Sequence, residues 1–105
     1  MRILSQDGIK FDIEYENCRL VVNEKCCEIE VETSNPNFTP VMASYSCIEK
    51  CRKAMDMLHE AYMAHSQCNS MTAEQKALFI MSVSEKEQCN LYGMFRFPTE
   101  EELED

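Results

Sequence analysis

Apolar and polar positions alternate along two stretches of this chain and recur at helical spacing along a third. From Lys10 to Tyr15 the chain alternates strictly: Phe11, Ile13 and Tyr15 point one way while Asp12, Glu14 and Glu16 point the other, the period-2 signature of a half-buried strand. The phase slips near Asn17, because Cys18, Leu20 and Val22 carry the apolar face from there. A one-residue slip would turn the core face to solvent, so a bulge or tight turn is expected at 16–18. The second alternation runs from Cys27 to Thr33, with Cys27, Ile29 and Val31 inward and Glu28, Glu30 and Glu32 outward. The short Asn23-Glu24 link predicts an antiparallel hairpin. Read as a tight turn on those two residues, it sets Arg19 opposite Glu28 and Leu20 opposite Cys27. A short apolar start at 2–5 closes on the turn signal Asp7-Gly8. Ser34 to Asn37 reads as a loop, and Thr39 to Tyr45 as a returning strand with Pro40 at its start or edge.

The helical stripe begins at Ser46. Ser46 and Glu49 have the spacing of a capping box, and Ile48, Cys51, Met55, Leu58 and Tyr62 then recur at intervals of three and four. Lys50, Lys53, Asp56 and Glu60 lie off that stripe, so an amphipathic helix over 47–65 is expected to dock on the sheet. Thr72 and Gln75 form a second such pair, opening a helix through Ala77, Leu78, Ile80 and Met81. The run 77–83 is also compatible with a buried strand, and the capping pair favours helix. Met94 to Phe97 reads as a last strand with Phe95 and Phe97 on one face, and 99–105 as a flexible acidic tail. The expected fold is α+β: residues 1–98 as one domain, a small antiparallel sheet of about four or five strands covered by one long and one shorter helix.

Composition narrows the function classes. The formal net charge is −9, from 19 acidic and 10 basic residues, which disfavours direct contact with nucleic acid or an anionic membrane and favours a basic protein partner. Seven cysteines in 105 residues could indicate a disulfide framework. Their odd number, an N-terminus without an apolar run of signal-peptide length, and cysteines on the apolar faces point instead to free thiols in the cytoplasm. No stretch reaches the ~18 apolar residues of a membrane span.

Met1-Arg2-Ile3-Leu4-Ser5-Gln6-Asp7-Gly8, the pair Tyr15-Glu16, the helix residues Tyr45-Ser46, Glu49-Lys50, Ala54-Met55, Met57-Leu58 and Tyr62, and the ending Phe95-Arg96-Phe97-Pro98 resemble a group of small proteins encoded by phages, prophages and mobile elements of Gram-positive bacteria. The resemblance covers about half the chain and implies a mobile-element accessory protein in a host cell. It brings no activity and no functional residues with it. Glu14 stands where members of that group often carry proline before the Tyr-Glu pair, and this chain is richer in cysteine.

Cys47 and Cys51 share a helix face upstream of His59 and His65, but structural zinc sites use paired ligands on turns, and Cys51 falls in the apolar stripe. His59 lies about two helical turns from Cys51, beyond direct contact for an activated thiol. No metal, cofactor or catalytic residue is therefore expected, and an enzyme is not. The carboxylate rows, Asp12, Glu14 and Glu16 with Glu28, Glu30 and Glu32, are the expected partner-binding residues. They suggest an anti-CRISPR-like inhibitor whose carboxylates stand in for phosphates in a basic nucleic-acid channel. Sequestration of a small signalling nucleotide and an assembly role in a phage particle are the alternatives. A homodimer through an open sheet edge or the Phe95–Phe97 ending is a further expectation.

Overall fold

The computed structural model describes residues 1–7, 12–34, 39–82 and 93–103. Strands β1 (Arg2–Leu4), β2 (Asp12–Glu14), β3 (Leu20–Asn23), β4 (Glu28–Val31) and β5 (Val41–Ser44) precede helices α1 (Ile48–Asn69) and α2 (Ala73–Met81), and β6 (Met94–Arg96) follows them. The strands form two sheets of three, ordered β2-β1-β6 and β3-β4-β5, in place of the one larger sheet expected. Nor is the pairing antiparallel throughout, since β6 lies parallel to β1. The reason is long-range: β1 bonds to β2 on one side and to β6 on the other, so β1 itself has no edge left for a strand of the second sheet. Gln6, just beyond β1, makes the junction. Its N–H donates to the Met42 carbonyl at 2.6 Å, its Oε1 accepts from the Ser44 N–H at 3.1 Å, and its Nε2 donates to the Pro98 carbonyl at 3.2 Å.

The first alternation ends in a 3-10 turn at Tyr15–Asn17, which supplies the phase change demanded at 16–18 and returns Cys18, Leu20 and Val22 to the core side. Lys10 and Phe11 lie outside the described residues. The β3–β4 hairpin has a longer connection than expected, 24–27, with Leu20 opposite Val31 and Val22 opposite Ile29. Asn23 initiates it, its Oδ1 accepting from the Lys25 N–H at 3.1 Å, and Cys27 closes it at φ 54°, in the left-handed region. The longer loop shifts the register, so Arg19 meets Glu32 rather than Glu28. Between β4 and β5 the register slips after Ile29, which opposes Ala43 while Glu30 opposes Val41. The bulge lets consecutive Met42 and Ala43 both face inward.

Both sheets and α1 contribute to one core, in which Ile3, Ile29, Met42, Leu58 and Phe97 are fully buried. Helix α1 starts one residue later and runs four residues further than the stripe predicted. Its buried line is Cys51, Ala54, Leu58, Ala61 and Cys68, with Ile48, Met55 and Tyr62 on the flanks. The alanines occupy the seam because a small side chain brings the helix backbone close to the sheets. The Ser46–Glu49 capping box does not form: the N-cap is Cys47, without a side-chain cap. The Thr72–Gln75 box forms in both directions at 3.2 Å, and α2 is helical as expected through Met81. Yet α2 has no fully buried residue, Lys76, Phe79 and Ile80 being half-buried, and it packs beside α1 rather than covering a sheet. Val83 lies outside the described residues.

Residues 99–103, read from the sequence as part of a flexible tail, are held against α1. Leu103 is buried in the common core, and the Lys53 ammonium donates to its carbonyl at 3.3 Å. Glu100 explains the missing cap. It accepts from the Ser46 hydroxyl and from the Ser46 N–H at 2.8 Å, and pairs with Lys50 at 3.1 Å, serving the helix N-terminus from 54 residues away. These contacts lower its carboxyl from 4.5 to about 2. A folded-state pKa below the unfolded one gives stability that is present above the unfolded value and lost as pH falls through the folded one. The stability of this protein is therefore expected to decline between pH 4.5 and about 2. Glu100→Gln should flatten that part of the decline, as read by denaturant unfolding over a pH series. Among the described residues, no helix is long and apolar enough to cross a membrane.

Candidate functional site

The two acidic rows lie on different sheets. Asp12 and Glu14 belong to β2 in the first sheet, Glu16 to the 3-10 turn after it, Glu28 and Glu30 to β4 in the second, and Glu32 just beyond β4. No ladder joins the rows, so the cross-strand repulsion that one shared surface would impose does not arise.

Their surroundings also differ. Glu14 takes the N-terminal amine of Met1, whose side chain is fully buried. Glu16 accepts from the Tyr62 hydroxyl at 3.2 Å, and Tyr15 and Tyr62 pack at a ring-centroid distance of 4.5 Å. That hydrogen bond raises the Tyr62 hydroxyl above its ordinary pKa. Asp12 is placed by its backbone opposite Leu4. The first row thus holds the N-terminus and α1 to the first sheet.

Among the described residues, the carboxylates of the second row make contacts only within their own hairpin. On the face of β3–β4–β5 that points away from the core, Glu28 stands between Asn23 and Ser44, and Glu30 between Val21 and Val41. The inward residues Ile29 and Val31 fix this orientation through strand alternation. Glu30 accepts from the Asn23 amide at 3.3 Å, whereas the Glu28 carboxylate makes no hydrogen bond or ion pair among the described residues. Glu32 pairs with Arg19 at 3.1 Å, and Glu24, at the opposite end of the hairpin, pairs with Arg52 at 3.4 Å, all four side chains being more than half exposed. Exposed pairs of this kind contribute about 0–1 kcal/mol, so a competing cation can displace them. From the sequence Glu24 reads only as part of the Asn23-Glu24 turn, not as one of the strand carboxylates.

Two thiols, Cys18 and Cys51, sit in surroundings that disfavour thiolate. Burial, and then Glu14, raises the pKa of Cys18. Burial, followed by Cys27, Cys47 and Glu28, raises that of Cys51. Cys18, Cys26, Cys27, Cys47, Cys51 and Cys68 are free, and Cys89 lies outside the described residues. His65 packs on Gly93, whose φ of +89° and whose approach to the ring leave no room for a Cβ, and its Nε2 meets the Asn69 amide at 3.2 Å. Among the described residues, no group of three or more His, Cys, Asp or Glu is arranged to hold a metal ion. No protein-family model, curated protein or solved structure matches this chain.

Proposed function

We propose that this chain is a non-enzymatic binding protein that presents the outer face of β3–β4–β5 to a basic nucleic-acid-handling protein of a host cell, such as a defence nuclease. The observation that carries the reading is the placement of Glu28 and Glu30 on that face, with Glu24 and Glu32 at its margin in weak surface pairs. Successive outward carboxylates on one strand stand ~7 Å apart, close to the phosphate spacing of a nucleic-acid strand. A mobile-element setting is supported by the resemblance of the N-terminal octet and of α1, and makes this an anti-defence inhibitor of the anti-CRISPR kind. The row Asp12, Glu14 and Glu16 plays a smaller part in this mechanism, because Glu14 and Glu16 already have partners within the fold. Sequestration of a nucleotide is less well supported, since Arg19, Lys50, Arg52 and Arg96 are each paired with a carboxylate.

The test is capture of partners from a host lysate at low and high salt, followed by titration of the recovered protein. Glu28→Gln/Glu30→Gln/Glu32→Gln is expected to weaken binding at least tenfold and to reduce its salt dependence. A triple variant that binds as tightly as the wild type, with the same salt dependence, would remove the carboxylate mechanism.

A further inference from the structure

We infer that α2 is a self-association surface, and that its occupant is the α2 hairpin of a second copy of this chain. The side chains Glu74, Ala77, Leu78 and Met81 recur at helical spacing on one face of α2 and are all exposed, Leu78 by 65% and Met81 by 80%. Met63, on the half of α1 that leads into α2, is 58% exposed. A nine-residue helix without a fully buried side chain, in which Phe79 and Ile80 are only half-buried, is well below the ~12–15 residues at which isolated helices become marginally stable in water. Packing against another surface would supply what the domain does not.

Charge identifies that surface. Residues 61–82 contain Glu74 and Lys76 as their only formally charged side chains, so the rest of the chain carries the whole net charge of −9. Two copies repel one another across most of their surface, and the α1–α2 hairpin is where they can meet without that opposition. The same neutrality gives the hairpin nothing with which to attract a basic or acidic partner. A two-fold pairing is self-complementary, setting the Leu78–Met81 stripe of one copy against the hairpin of the other. The exposed parts of Met63, Leu78 and Met81 amount to on the order of 400 Å² per copy. Doubled over two copies and widened by a polar rim, that lies below the ~1,200 Å² of stable specific interfaces, in the range of weak, transient ones, which implies a concentration-dependent dimer. The Phe95–Phe97 ending does not serve, because both rings are buried and pack edge-to-face in the core.

Sedimentation velocity and native mass spectrometry of the full chain across a concentration series test the inference. Wild type is expected to pass from 12.2 kDa to twice that mass, and added salt to leave this association unchanged or strengthen it. That is the opposite of the salt response expected for the acidic face, so the two readings fail separately. Leu78→Glu/Met81→Glu should weaken dimerisation at least tenfold with an unchanged far-ultraviolet circular dichroism spectrum, since neither residue supports the core. Hydrogen exchange of the wild type is independent of any variant and should show α2 amides gaining protection as concentration rises. A wild type that stays monomeric, a dimer that survives the double substitution, or α2 exchange that ignores concentration would each overturn the inference.

Discussion

Phe97→Ala is expected to destabilise this protein by about 3–5 kcal/mol, the range for removing a fully buried aromatic ring. Its ring is fully buried in the core that both sheets and α1 share, against the edge of Phe95 at 5.4 Å. Its N–H donates to the Leu4 carbonyl at 3.3 Å, so the backbone holds it in place and limits collapse around the void. Domains of this kind have roughly 5–15 kcal/mol of stability in total, so the variant should be partly unfolded at modest denaturant or temperature. The measurement is equilibrium urea unfolding followed by circular dichroism. A midpoint within error of wild type would mean that Phe97 does not join the sheets as the packing indicates.

Leu103→Ala is expected to cost about 2–3 kcal/mol, near the low end for leucine truncation because a chain end can settle into part of the cavity. This is the sharper test of the architecture, since a flexible acidic tail would tolerate the change at no cost. Leu103 is buried among residues of both sheets and α1, and its short 3-10 turn carries Glu102, which pairs with Arg96 at 3.3 Å. Glu102 also accepts from the Thr99 N–H and hydroxyl, closing a local capping arrangement over 99–102. Unchanged stability in Leu103→Ala would return these residues to the tail that their composition suggests. The same urea titration gives the answer.

Tyr45 links these two regions. Its hydroxyl donates to the buried Pro98 carbonyl at 2.7 Å, and burial together with nearby acidic groups holds that hydroxyl well above the ordinary tyrosine pKa. With the Gln6 amide donating to the same carbonyl, the chain after β6 is fixed from two directions before it reaches Glu100. The docked ending is thus a structural part of the domain, and two of its acidic residues serve folding rather than recognition. The proposed binding face on β3–β4–β5 is separate from α2, whose Glu74 and Lys76 leave it without net charge.

The amino-acid sequence by itself determined what depends on neighbours within a few residues. Period-2 alternation located β2 and β4 and set which side of each is acidic. The phase slip at Asn17 announced the 3-10 turn, and Thr72 with Gln75 announced α2. It also put Glu28, Glu30 and Glu32 on the outward side of their strand, because Ile29 and Val31 had to turn in. Tertiary structure decided everything that required a distant partner. Gln6 joined two sheets where alternation alone suggested one, and β6 paired parallel with β1, since periodicity says which residues share a face but not which strand lies beside them. Glu100 took Ser46 away from the local capping box, Ala54 and Ala61 displaced larger residues from the helix seam, and Leu103 drew an acidic ending into the core. Each of these turns on burial or hydrogen bonding between residues far apart in the chain, where local pattern carries no information and the free energy of the whole fold makes the choice.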